Sequence, residues 1–162
     1  MVAFLLNFLL LFAIWILLTW SLNWQQLIAG VVVAVAVTAI TGRLSPVKSL
    51  RIFQPVRVLW FLLYIPYFLW YVLLANLDVA YRVLHPELPI KPGIVRFKTT
   101  LKTHLAQTVL ANSITLTPGT MTVDIIDQDM YIHWINIKGE REEEWFKHIA
   151  GRFEGIIRRI FE

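Results

Sequence analysis

The sequence predicts an α-helical membrane protein with a small α+β soluble domain: an N-terminal transmembrane hairpin, a third apolar helix that is interfacial or transmembrane, then strand, helix, β-hairpin and helix. Three observations predict it. Residues 1–42 contain no Asp, Glu, Lys, Arg or His. The 162-residue chain is 57% hydrophobic and 16% charged, with a mean hydropathy of +0.62, outside the range of ordinary globular domains. From about residue 86 the pattern changes to short alternating runs and amphipathic spacing, as in a small soluble unit. The expected division is a hairpin over 1–42, a basic connector and aromatic helix over 43–85, and an α+β domain over 86–162.

The first apolar segment, Val2 to Leu22, is long enough to cross a hydrocarbon core of about 30 Å at about 1.5 Å per residue. It ends in Trp20-Ser21-Leu22-Asn23-Trp24, where two tryptophans bracket an uncharged polar turn, the residue type preferred at the lipid–water boundary. The second segment, Trp24 to Thr41, is rich in Val and Ala. Small residues at Gly30, Ala34 and Ala36 fit either close approach of another helix or the hairpin's own contact. A cleaved signal peptide is the poorer reading, because no basic residue precedes the apolar run and the run is far too long.

A basic stretch follows, with Arg43, Lys48, Arg51 and Arg57 and breaks at Pro46 and Pro55. The third apolar segment, Val58 to Leu77, is heavily aromatic, with Pro66 at its middle. A second basic stretch covers residues 78–102. Lys and Arg concentrate on the cytoplasmic side of membranes, so both basic stretches belong there. One crossing between them violates that rule. An aromatic helix lying along the interface satisfies it.

Beyond the connector with Pro86, Pro89 and Pro92-Gly93, Ile94 to Lys98 alternates as a strand. Leu101, Leu105 and Val109 give helical spacing to about Ser113. Thr117-Pro118-Gly119-Thr120 places Pro and Gly at the two central positions of a type II turn. Met121, Val123 and Ile125 alternate with Thr122 and Asp124 on a strand whose apolar positions face inward, and Met130 to Ile137 returns as its hairpin partner. Trp145, Ile149, Phe153, Ile156, Ile157 and Ile160 mark one closing helix, with Glu142, Glu143 and Glu144 leading and Arg158 and Arg159 trailing.

The chemistry these residues exclude is extensive. There are no cysteines, hence no disulfide, thiolate catalyst or cysteine-bound metal. The net charge of +4 reflects membrane-flanking Lys and Arg rather than nucleic-acid binding. No carboxylate, lysine or histidine lies within the three apolar segments, where one would mark an ion path. His85, His104, His133 and His148 are scattered. Asp124 and His133 lie on paired strands without a full ligand set, and ordinary strand positions are the commoner explanation. Asn112, Thr115 and Thr117 crowd the Pro118-Gly119 turn, where such side chains usually bond local backbone rather than act as catalysts. Gly151 and Gly155 form a GxxxG beside Arg152 and Glu154, which rules out lipid-phase dimerisation. The expected catalytic, cofactor and metal residues are therefore none.

Leu110-Ala111-Asn112-Ser113-Ile114-Thr115-Leu116-Thr117-Pro118-Gly119-Thr120, followed by Val123-Asp124 and Tyr131-Ile132-His133, with Ile90-Lys91-Pro92-Gly93 upstream, closely resembles the E subunit of Mrp-type multisubunit Na⁺/H⁺ antiporters. The resemblance covers nearly the whole chain. It implies an accessory, non-catalytic subunit without a cofactor, partnered by the other subunits of the complex and by the bilayer. It further implies a multi-pass place in the cell membrane of a bacterium or archaeon, with a cytoplasmic C-terminal domain. Related subunits occur in membrane-bound hydrogenase and sulfur-reducing complexes, and these are the alternative host.

Overall fold

The computed structural model describes residues 2–41 and 54–162, and the expectations for Arg43, Pro46, Lys48 and Arg51 lie outside the described residues. The chain forms two compact units, Met1–Ile52 and Phe53–Glu162.

The first unit is a pair of helices, α1 (Val2–Thr19) and α2 (Trp24–Thr41). Between them Trp20 takes a φ of +48° and is almost fully exposed. Gly30, Ala34 and Thr38, four residues apart, form the buried seam of α2. Gly30 is required: a Cβ there would lie 2.5 Å from Trp15 Cδ1. Trp15 in turn donates from Nε1 to the Gln26 carbonyl at 2.9 Å. The small residues therefore serve the hairpin's own contact. Ala36 faces outward, and Thr38, its hydroxyl turned back to the Ala34 carbonyl, takes the seam position instead.

The second unit begins with α3 (Pro55–Leu84), thirty residues long and apolar enough to cross a membrane by composition. It exceeds the expected Val58–Leu77 at both ends. Pro55 occupies the first turn, where its missing N–H costs nothing. At the other end Arg82 grips Asp78 one turn back, so the helix continues past the apolar stretch. Then follow β1 (Gly93–Lys98), α4 (His104–Thr115), β2 (Thr120–Ile126), β3 (Asp129–Trp134), α5 (Glu142–Ile149) and α6 (Gly151–Phe161). The three strands are antiparallel in the order β1-β3-β2. Val95, Phe97, Met130 and Ile132 turn from the sheet into a core completed by Leu110 and Ile114 of α4 and Phe153 and Ile157 of α6.

Four local differences from the sequence expectation have clear causes. Helix α4 starts at His104 because the Thr103 side chain accepts from the Ala106 amide and caps it. Strand β3 stops at Trp134, since Ile135 and Ile137 leave the ladder and bond to Gly119 and Lys91 instead. The closing helix breaks in two at the buried Ala150. In β2 the register shifts between Thr122 and Asp124, and this bulge reverses the alternation. Thr122 faces inward, while Met121 and Val123 are each 51% exposed.

Gly139, with φ +79°, lets Glu144 fold back over the start of α5. Hydrogen bonds from the Arg141 guanidinium, then from the Glu140 amide, hold the Glu144 carboxyl below the usual carboxylate range. Gly119 closes the turn between α4 and β2 with φ +89°, and Thr120 N–H reaches the Thr117 carbonyl at 3.3 Å, the bond of a type II turn. A Cβ on Gly119 would meet Ile135 Cγ2 at 3.0 Å and Val79 of α3 at 3.4 Å.

Gly119→Val is therefore expected to cost about 1–3 kcal/mol through backbone strain. Denaturation of the purified chain measures it.

Candidate functional site

The side chains of α3 divide sharply. Arg57, Trp60, Tyr64, Tyr67, Tyr71, Ala75 and Arg82, spaced by three, four or seven, turn toward the domain. Leu62, Ile65, Leu69, Leu73 and Leu77 are exposed on the other side. The inward stripe holds the polar atoms, and the outward face between Val58 and Leu74 is wholly aliphatic and aromatic apart from Pro66. This inverts the usual surface helix, whose apolar stripe faces its own core.

The stripe is fixed at the middle and at both ends. At the middle, Phe153 of α6 is 1% exposed and meets Tyr64, Phe68 and Tyr71 edge-on, at centroid distances of 6.5, 6.0 and 5.8 Å. The Tyr64 hydroxyl bonds Ser113 Oγ, whose own hydrogen goes to the Val109 carbonyl, so the tyrosine donates. Tyr67 donates to the Arg152 carbonyl at 3.0 Å. At the start of α3, Arg57 reaches the carbonyls of Ile160 and Glu162 at 3.0 and 2.9 Å and so caps the C-terminus of α6. At its end, Arg82 is buried. It donates to both Asp78 oxygens at 2.8 and 2.9 Å and to the Pro89 carbonyl at 2.6 Å.

Helix α6 is anchored on its opposite side by two carboxylates two turns apart. Glu154, 3% exposed, accepts from Thr99 Oγ1, from Thr100 N and Oγ1, and from Arg158. Glu162 accepts from the amides of Lys102 and Thr103. The segment that leads into α4 is thereby laid along α6.

The Asn112–Thr120 block is a set of structural ties. Thr117 Oγ1 donates to the Ser113 carbonyl and Thr120 Oγ1 to those of Ile114 and Thr117. Thr115 Oγ1 accepts from the Thr122 amide, while Thr122 Oγ1 reaches the Ala111 carbonyl. Asn112 is exposed on the α4 surface. These bonds hold the end of α4 on β2, and no nucleophile–base pair arises from them. The histidines are not brought together. His85 closes α3 and accepts from the Glu87 amide, His104 opens α4, and His133 lies opposite Met121 rather than Asp124. Asp124 pairs in register with Tyr131. Among the described residues no group of three His, Cys, Asp or Glu could hold a metal.

His148 borders a cavity of about 240 Å³ between α3 and the domain, whose wall includes Leu74, Asp78, Thr117, Pro118 and Arg152. Reading the sequence by apolarity alone missed this seam. The signal was present as Arg and Tyr recurring at helical spacing on a helix otherwise almost wholly aliphatic and aromatic. In the site as a whole, the ionisable groups of α3 other than tyrosine stand only near its ends, and α1 and α2 contain none.

Glu154→Ala would leave several buried or half-buried donors without their acceptor, at a cost of about 3 kcal/mol. Chemical denaturation should show a loss of that order, and Glu154→Gln a smaller one.

A family model described as a Na⁺/H⁺ ion antiporter subunit matches residues 8–160. The chain is 33% identical over 159 residues to the E1 subunit of the Na⁺/H⁺ antiporter of Staphylococcus haemolyticus, covering 97% of this chain and 96% of that one. Over 89 residues, 54% of this chain and 55% of the relative, it is 43% identical to the E subunit of the Bacillus subtilis Na⁺/H⁺ antiporter. Among solved structures it resembles a chain of the membrane-bound sulfane sulfur reductase, an archaeal respiratory membrane complex. There the identity is 47%, the coverage 98% of this chain and 99% of that one, and the TM-score 0.86. The chain thus belongs to the family of Na⁺/H⁺ antiporter E subunits.

Proposed function

We propose that this chain is a non-catalytic accessory subunit of a multisubunit cation/proton antiporter module, working with the other subunits of that complex. In this reading α1 and α2 cross the membrane and pack against neighbouring subunits. Helix α3 lies in the interface of the cytoplasmic leaflet, and the α+β domain is cytoplasmic. Proton and cation paths belong to other subunits, since a path through these helices would need carboxylates, lysines or histidines within the apolar segments, which lack them.

The observation that supports the lie of α3 is the length over which the domain covers it. Contacts run from Arg57, which reaches the Ile160 carbonyl, to Arg82, which reaches the Pro89 carbonyl, about 38 Å at 1.5 Å per residue. A hydrocarbon core is only about 30 Å thick. A crossing by α3 would draw Arg152, Arg158 and the surrounding charged surface into lipid, at a cost of several kcal/mol for each unmatched ion. Laid flat, α3 instead presents its aliphatic face to the acyl boundary and keeps the domain in water. This arrangement also puts both basic stretches on one side, as the positive-inside rule asks.

A second reading concerns the host. The 47% identity to a chain of an archaeal respiratory complex exceeds the 33% to an antiporter subunit over similar coverage, which favours a redox-linked complex carrying an antiporter-like module. Purification through a tag on this chain, with mass spectrometry of the co-purifying subunits, decides between the two hosts.

The chain has no cysteine, so single cysteines can be introduced cleanly. Placed at Lys48, Lys91 and Lys138, all should resist an impermeant thiol reagent in intact cells. Reaction at Lys91 and Lys138 with Lys48 protected would make α3 a crossing.

Transport should remain measurable when any one carboxylate or histidine is replaced and the complex still assembles. Complete loss of transport in an assembled complex with one such substitution would overturn the accessory role.

A further inference from the structure

The cavity beside α3 is lined by two basic side chains, Lys138 and Arg152, and one carboxylate, Asp78, which Lys138 also faces. Lys138, His148 and Arg152 all line it, from the loop after β3, from α5 and from α6. Its one carboxylate, Asp78, is already engaged through both oxygens by Arg82. Arg152 gives one amino group to the His148 carbonyl at 2.6 Å and rests its guanidinium on the Tyr71 ring, 4.8 Å from the centroid. A guanidinium has five N–H donors, so this contact fixes the group while leaving donors for a ligand. The side chain is held in place by stacking, as a preorganised anion-binding arginine should be.

The rest of the cavity is of a different kind. Ile114, Pro118, Ile149 and Phe153 make an apolar floor, and Leu74 and Ala75 of α3 form one wall. Two cations on separate segments, Lys138 and Arg152, with the His148 imidazole beside them as a further hydrogen-bonding group, suit a tetrahedral oxyanion, which offers acceptors in several directions. A volume of about 240 Å³ accommodates such a group with part of its ester.

We propose that this cavity binds a phosphate-bearing group, supplied as the headgroup of an anionic phospholipid whose acyl chains run along the outer face of α3. The phosphate is argued from the cavity's cations alone. Its source as a lipid rests on the interfacial reading of α3 given above.

The test uses the full-length chain in an uncharged detergent, titrated separately with inorganic phosphate, with dihexanoyl-phosphatidylglycerol and with dihexanoylglycerol, which lacks phosphate. Phosphorus NMR reports binding of the first two, and a shift in thermal stability reports all three. Phosphatidylglycerol should bind saturably and dihexanoylglycerol should not. Lys138 is exposed, so Lys138→Gln should fold normally and weaken binding about fivefold, the effect of removing one basic group near an anionic headgroup. Lys138→Glu should weaken it further. Arg152→Gln checks the second cation. Lipid binding with this sensitivity, and none for inorganic phosphate, supports the headgroup as ligand. Equal binding of inorganic phosphate with the same sensitivity keeps the phosphate site and overturns the lipid source. Binding indifferent to both Lys138 variants, saturation by dihexanoylglycerol, or no saturable binding of any probe overturns the site. Should cysteine labelling show α3 to be a crossing while phosphate binding still depends on Lys138, the topology fails and the site stands.

Discussion

A helix as apolar as α3 can be stabilised in two ways, by lipid on every side or by a partner that takes one side and leaves the other to lipid. The aromatic packing around Phe153 supplies the partner. Three rings of α3 meet one ring of α6 edge-on, each pair contributing about 0.5–1.5 kcal/mol beyond the area it buries. The hydroxyls of Tyr64 and Tyr67 on this side find Ser113 and the Arg152 carbonyl, so their burial leaves neither oxygen unmatched. Arg57 and Arg82 then fix the two ends. The orientation of α3, the position of α6 and the shape of the cavity beside them all follow from this seam.

Helix α6 is consequently the keystone of the C-terminal unit, although it is only eleven residues long. One side receives α3. The other is bonded through Glu154 and Glu162 to the segment that starts α4. Phe153 and Ile157 meanwhile enter the core beneath the sheet. So short a helix has little stability of its own, and isolated helices of this length are marginal in water. Its order comes from tertiary contacts on several sides, and the loss of any one side weakens the others.

The sequence made the classes of element legible and left their partners hidden. The hairpin, the strand–helix–hairpin order and the Pro118-Gly119 turn follow from hydropathy, alternation and turn chemistry, which are local signals. The inward phase of Thr122 was not legible, because the bulge that reverses β2 depends on pairing with β3. Likewise, the break at Ala150 separates two stretches that share one helical periodicity and differ only in what they pack against. The seam is the most instructive omission. Tyr64 and Ser113 are 49 residues apart, and Arg57 and Glu162 are 105 apart. Each residue reads as ordinary alone, and only the fold gives Ser113, set in a stretch that mixes polar and apolar residues, its role as the acceptor for a tyrosine of an apolar helix.

The distance in sequence between α3 and α6 has a consequence for how the chain is made. Synthesis runs from the N-terminus at about 5–20 residues per second, so α3 leaves the ribosome several seconds before the helix that covers it exists. During that interval its tyrosines and aliphatic face are both uncovered, and the insertion machinery meets a thirty-residue apolar helix with no cover. On the interfacial placement proposed for α3, the groups that would restrain it then are the arginines near its ends and the tyrosine hydroxyls along its length, each of which raises the cost of full immersion. Helix α6, made well after α3, then closes over the tyrosine face. On that proposed placement, membrane topology is completed by folding, and α6 secures the position of a helix made long before it.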